Sequence, residues 1–187
     1  MCEEEKEKID YKERLFNRLS ALQKEIRRGK EYDALYFALE LEERDSSQLW
    51  NRLKVIASED VGFANPLMPV LIETLHKQYI ADKEKIDTKG SYFLFLSNAV
   101  VCLCRSQKSR IADDLLNVVL LERQSGKILQ IPDYALDMHT KAGKSEGKGI
   151  EYFYDEGTKL ENEAFPNPWK EKAKELLMKL GKPRVLQ

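Results

Sequence analysis

The stretch Lys54–Pro66, KVIASEDVGFANP, sets two adjacent carboxylates, Glu59 and Asp60, between an apolar run and a corner built from Gly62 and Asn65-Pro66. Upstream, Leu49, Trp50, Leu53, Ile56 and Ala57 recur at helical spacing, and RDSSQLW supplies Asp45, Ser46 or Ser47 as an N-cap. Downstream, Asn65 is expected to cap a new helix with Pro66 in its first position, where the missing N–H has no partner to lose. That helix runs through Leu67, Val70, Leu71, Leu75 and Tyr79. Helical periodicity extends from the corner in both directions. If the first helix ends near Ala57, Glu59 and Asp60 lie beside its negative end, unfavourable by a few tenths of a kcal/mol or more. A compensating group is required: Arg27 or Arg52 from elsewhere, or Ser58 or Asp60 serving as cap for a turn through Val61 and Gly62. A capped corner with a partly buried ion pair is the structural expectation; acid–base catalysis by this pair needs a pocket and a second group.

Outward from the corner, Ile9, Leu15, Phe16, Leu19, Leu22 and Ile26 mark a first amphipathic helix stopped by Gly29. Tyr32, Leu35, Tyr36 and Leu39 mark a second. YFLFLSNAVVCLC, Tyr92–Cys104, is apolar nearly all round. Its aromatic and β-branched content also suits a strand, but its length favours a central buried helix opened by Gly90-Ser91. A sixth helix from Ser109 or Arg110 uses Ile111, Leu115, Leu116, Val119 and Leu120 and is closed by Gly126. The texture then changes: KILQIP is short and extended, DYALDMHT is one or two helical turns, and KAGKSEGKG is a glycine-lysine loop. NPWKEKAKELLMKLG restarts helix with Asn167-Pro168 as cap and first position, and with Trp169, Ala173, Leu176, Leu177 and Leu180 on one face. The expected fold is all-α, a single multi-helix domain with a looped segment before the last helix. Its divisions are a charged helical extension at 1–17, a helical core at 18–140, a Gly/Lys loop with a short helical turn at 141–166, and a C-terminal helix and tail at 167–187.

The chain has 187 residues, 42% hydrophobic and 34% charged, enough for one well-buried core. With 31 basic against 32 acidic side chains, any anion site must be a local patch. Cys2, Cys102 and Cys104 form an odd set without CxxC spacing, which argues against a disulfide framework and a zinc cluster and for a reducing cytoplasm. The acidic, charged N-terminus is not a signal peptide, and no apolar run reaches the roughly 20 residues that span a bilayer, so no membrane association is expected.

Few residues can carry chemistry. GKS at Gly143–Ser145 mimics the end of a P-loop, but position 138 is Met where the motif needs Gly, so no nucleotide cofactor is expected. Lys141, Lys144 and Lys148, interleaved with glycines, either form a solvated loop or contact phosphate. Arg105, Lys108 and Arg110 form either an exposed helix–helix link or a second phosphate patch. The histidines are His76 and His139; His139 follows Asp137 by two residues, and a hydrolase built from Glu59, Asp60, Asp137 and His139 around a metal is the enzymatic alternative, with a surface or capping histidine preferred and no metal expected. Cys102 and Cys104 sit in the most apolar helix, as core and not as nucleophiles.

Several blocks together resemble a known family. SALQKEIRRGKEYDALYFALEL supplies Ser20, Ala21, Leu22, Lys24, Ile26 and Arg27, then Asp33, Ala34, Leu35 and Tyr36. The corner supplies Arg52, Leu53, Ala57, Ser58, Glu59, Asp60, Gly62, Ala64 and Pro66. SNAVVCLCRSQKS adds Lys108 and Ser109, and IPDYALDMH adds Pro132, Leu136 and His139. In this order they resemble the C-terminal region of the replication-associated recombination protein A family, clamp-loader-like AAA+ ATPases that include the Werner-helicase-interacting ATPase. The likeness covers about residues 18 to 140. Two departures stand out: the ATPase module that precedes this region in the family is missing, and the family's glycine-tyrosine-lysine-tyrosine-proline ending is replaced by GKGIEYFYDEGTKLENEAF. The resemblance implies a stand-alone, non-enzymatic oligomerisation domain, in the family a tetramer working at replication forks and DNA ends. Expected partners are further copies of the chain, DNA contacted through Arg105, Lys108, Arg110, His139, Lys141, Lys144 and Lys148, or a separate AAA+ ATPase docked on the Trp169 helix.

Overall fold

The computed structural model describes residues 3–85 and 90–181, with side chains from residue 11 onward. Cys2, the middle of the polar link at 86–89 and the tail at 182–187 lie outside the described residues. Among the described residues every regular element is helical. The chain divides into two compact units at Ser125/Gly126, where helical periodicity breaks in the sequence, whereas the expected core ran on to residue 140.

In the first unit, α1 (Glu3–Arg27) packs against α2 (Glu31–Ile56), and α3 (Met68–Lys83) against α4 (Tyr92–Arg105), with α4 also lying on α1 and α2. The α1 face is the expected one: Leu15, Leu19, Leu22 and Ile26 are buried, though Phe16 is exposed. Gly29, with φ +71°, ends α1 in the left-handed conformation that glycine adopts without a Cβ penalty. The expected second and third helices are one element, α2, kinked at Asp45, whose Oδ1 accepts from the Gln48 N–H at 3.0 Å as the expected N-cap. Its first half corrects the periodicity reading. Tyr32, Tyr36 and Leu39 are exposed, and the buried face is Ala34, Ala38 and Leu41, because alanines let two helix backbones approach closely. The second half buries Leu49, Trp50, Leu53 and Ile56 as expected.

Asn65-Pro66 does not start α3. The helix begins at Met68 with Pro69 in its first turn, Asn65 gives no side-chain cap, and Pro66 lies in the preceding turn. The proline argument therefore applies, three residues later than expected. α4 is the buried helix expected, contributing Leu96, Ala99, Val100, Leu103 and Cys104 to the core. Burial pushes the Cys104 thiol up to about 11, as an inert core cysteine requires. At the far end of this bundle Trp50 stacks on His76 at 4.7 Å, and the Tyr79 hydroxyl donates to the buried Glu42 carboxylate at 2.7 Å. Lys83 donates to both Tyr79 and Glu42, so the buried carboxylate has its counter-charge.

α5 (Ile111–Gln124) completes the first unit but buries no residue. In the second unit, α6 (Lys141–Ser145) replaces the expected open loop, α7 (Ile150–Tyr152) continues into a π turn at Phe153–Gly157, and α8 (Lys170–Leu180) follows. α8 begins at Lys170 with Trp169 at its N-cap position, so Asn167-Pro168 does not open the helix as expected; the Asn167 side chain accepts from the Trp169 N–H at 3.1 Å in the preceding turn. The face Trp169, Leu176 and Leu180 is nonetheless exposed.

Candidate functional site

The corner is a π turn, Ala57–Val61, followed by a short 3-10 turn at Gly62–Ala64. The wider turn keeps the chain winding past the end of α2 and carries Asp60 inward, where it is 1% exposed. All of its charge is met. Asp60 Oδ1 accepts from Arg27 Nε at 2.6 Å and Arg110 Nη1 at 3.1 Å, and Oδ2 accepts from Gln23 Nε2 at 2.9 Å. Glu59 Oε1 accepts from Arg27 Nη2 at 2.7 Å and Arg110 Nη1 at 2.6 Å. Burial opposes the charged form of Glu59, but the Arg110 hydrogen bond, a further one from Gln23 and the charges of Arg27 and Arg110 hold its carboxyl below the usual range. The Glu59 hydrogen bond likewise raises the Arg110 guanidinium pKa.

Two of the cations proposed from sequence thus sort differently. Arg27 meets the carboxylates directly, whereas Arg52 reaches them through Gln23, whose Oε1 accepts from Arg52 Nη1 at 2.9 Å. Neither Ser58 nor Asp60 caps a turn: Ser58 is exposed and Asp60 accepts from side chains. Gly62 has φ +51°, and a Cβ there would lie 3.1 Å from the Ser109 carbonyl oxygen, so glycine is required for both conformation and space. Asn65 Nδ2 donates to Ser106 Oγ at 3.4 Å. Gln23 escaped the sequence reading, although its position one turn before Arg27 places both on one helix face.

Four of the residues assigned to phosphate contact, Arg105, Lys108, Arg110 and Lys148, have intramolecular roles. Arg105 pairs twice with Glu31, from Nε at 2.6 Å and Nη2 at 3.1 Å. Lys108 donates to the carbonyls of Cys104 and Ser106 at 2.7 and 3.0 Å, satisfying the end of α4. Arg110 belongs to the corner and also pairs with Asp113. The side chain of Lys148 is 12% exposed, held by Asp133 and Glu146.

The glycine-lysine stretch is wound into helix by Thr140, whose Oγ1 accepts from the Gly143 N–H at 3.0 Å. The amides of Lys144, Gly147 and Lys148 are also spent, on Thr140, Lys144 and Gly143 oxygens. Gly143 is there for space, since a Cβ would sit 2.0 Å from the Asp137 oxygen. Lys141 and Lys144 are exposed on α6.

The four residues of the enzymatic alternative divide between the two units. Glu59 and Asp60 belong to the first unit and Asp137 and His139 to the second. Asp137 and His139 form a local turn: Asp137 Oδ1 accepts from the His139 N–H at 2.9 Å, and Oδ2 lies 3.3 Å from Nδ1. That backbone N–H, more than the ring, lowers the Asp137 pKa. Among the described residues no group of three or more His, Cys, Asp or Glu is placed to hold a metal ion.

What the corner does hold is α5. The Ser109 N–H donates to the Asp60 carbonyl at 2.9 Å, Arg110 reaches both carboxylates, and the first turn of α5 lies over Gly62–Ala64. From there α5 exposes Ile111, Leu115, Leu116, Val118, Val119, Leu120 and Leu121; Leu115 is 60% and Leu121 64% exposed. The face expected to enter the core, Ile111, Leu115, Leu116, Val119 and Leu120, is therefore outside it. An apolar groove of about 460 Å³, lined by Val55, Ala112 and Leu116 among others, separates α5 from the end of α2.

Residues 29–175 match the family described as the MgsA AAA+ ATPase C terminal. Over 160 residues the chain is 35% identical to the Replication-associated recombination protein A of Bacillus subtilis (strain 168), a match that covers 82% of this chain and 36% of that relative. The chain thus spans about a third of the length of this relative. No helix among the described residues is long and apolar enough to cross a membrane. With the family match reaching from the start of α2 into α8 and taking in the whole corner, the chain belongs to the family of MgsA AAA+ ATPase C-terminal domains.

Proposed function

We propose that this chain is a non-enzymatic, cytoplasmic assembly module that associates with further copies of itself, as a homo-oligomer up to a tetramer, and acts with DNA or a separate AAA+ ATPase in replication, recombination or repair. The observation that carries this reading is α5. On a helical wheel its apolar side chains from Val118 through Ile111, Leu115, Val119 and Leu116 to Leu120 fill an arc of roughly 200°, about twice what packing on one layer uses. Such a surface is unusual on a monomer and suits burial by more than one neighbour. The name of the B. subtilis relative supports the replication and recombination setting. For DNA, the exposed Lys141 and Lys144 are candidate phosphate contacts, and binding through this chain alone is expected to be weak and to fall with salt.

Light scattering across a concentration and salt series, with and without short duplex and single-stranded DNA, tests the proposal. A homo-oligomer that becomes monomeric in Leu115→Asp is the expected result. A wild-type chain that stays monomeric at every concentration and never binds DNA overturns it.

A further inference from the structure

If α5 is the self-association surface, its direction decides which copies can meet, and apolar packing within the chain does not set that direction. No α5 residue is buried and a groove lies between α5 and the end of α2. What does reach α5 is polar and concentrated at its first turn. Arg110 occupies the N-cap position, where Ser, Thr, Asp or Asn is preferred and where the helix dipole disfavours a cation. It makes no cap hydrogen bond. Its guanidinium instead spans three carboxylates: Glu59 at 2.6 Å and Asp60 at 3.1 Å on the corner, and Asp113 one turn along α5 itself. Behind it, Asp60 is clamped by Arg27 and Gln23 of α1, so the corner is rigidly referred to the core. The Ser109 N–H to Asp60 carbonyl bond and the Gly62 approach to the Ser109 carbonyl fix the backbone beside it.

We propose, resting on the self-association reading above, that the Glu59–Asp60 corner is the mount that aims α5, and that Arg110 is its positioning residue: it couples the buried core to the assembly surface without touching a partner. Arginine suits the task because a planar fork can hold three carboxylates in fixed directions, which a lysine point charge cannot. The same geometry explains why a cation stands at the N-cap position of α5, where the Ile111 N–H is met by the Ser109 hydroxyl at 3.4 Å and not by Arg110.

Sedimentation velocity of the full chain and of Arg110→Ala, Arg110→Lys and Leu115→Asp, paired with amide hydrogen exchange over α1–α4, tests this. Arg110→Ala is expected to weaken self-association about tenfold while α1–α4 protection stays at the wild-type level, and Arg110→Lys to recover only part of the loss. Leu115→Asp, which removes the surface itself, serves as the monomer control. Unchanged association in Arg110→Ala beside a monomeric Leu115→Asp overturns the mount and leaves the surface standing. Loss of α1–α4 protection in Arg110→Ala also overturns it, by making Arg110 a residue of the core fold. A monomeric wild type removes the self-association reading and the mount together.

Discussion

α4 and α5 are both 14 residues long and both rich in aliphatic side chains, yet α4 buries Leu96, Ala99, Val100, Leu103 and Cys104 and α5 buries nothing. The difference lies in what stands around them. α4 lies against α1, α2 and α3, whereas α5 leaves the bundle at a polar corner and meets the unit at its first turn. Two helices of equal length and similar aliphatic content therefore do opposite things. One holds the unit together, and the other presents unspent apolar surface, the form that an interface between chains takes before it is made.

The largest expected effect comes from cutting the Glu59–Asp60 corner at which α5 meets the bundle. Asp60→Ala leaves Arg27 and Gln23 facing a buried void and is expected to cost about 3–5 kcal/mol in urea unfolding, in the range for breaking a buried pair. The comparison itself is tested by the same truncation in each helix. Leu103→Ala is expected to cost about 2–4 kcal/mol, and Leu115→Ala less than about 0.5 kcal/mol when unfolding is followed at concentrations where the chain is monomeric. Equal costs would mean that α5 is packed after all. In the second unit, Gly143→Ala drives a Cβ into the Asp137 backbone and is expected to cost about 1–3 kcal/mol locally, seen as faster proteolysis around residues 137–157 with first-unit amide protection unchanged. The smallest effect is a pH dependence. The Glu59 pKa is lowered in the folded chain, so its contribution is complete above the ordinary glutamate value near about 4.3 and is lost as pH falls through the lowered one. Glu59→Gln should reduce stability by up to about 1 kcal/mol at neutral pH, and the two unfolding midpoints should converge once the pH has fallen through the lowered Glu59 pKa.

Helix identity was legible wherever apolar spacing and a capping or stop residue coincided, as with Leu15 to Ile26 before Gly29 and with Asp45 at the α2 kink. Faces were less legible. Tyr32, Tyr36 and Leu39 satisfy a helical stripe as well as Ala34, Ala38 and Leu41 do, and close approach of α1 selected the alanines. At the corner, charge reasoning found that Glu59 and Asp60 need a cation and named Arg27. It did not find Arg110, because 50 residues separate it from Asp60 and only the fold brings them to 3.1 Å. For the same reason Arg110 read as a free cation for phosphate. Short-range thrift hid the remainder: Thr140 closes α6 and Lys148 folds back on Asp133, contacts that turn an apparent lysine loop into a self-satisfied turn of helix.

Each unit of the chain carries one of its two tryptophans, and their settings are opposite: Trp50 is fully buried against His76 and Tyr79, while Trp169 is largely exposed beside Lys172. The molecule is thus furnished with two intrinsic fluorophores, one emitting from an apolar, ring-stacked interior and the other from water. Replacing either by phenylalanine gives a single-colour chain in which the melting of one unit, or the arrival of a partner on Trp169, can be followed without attaching a label.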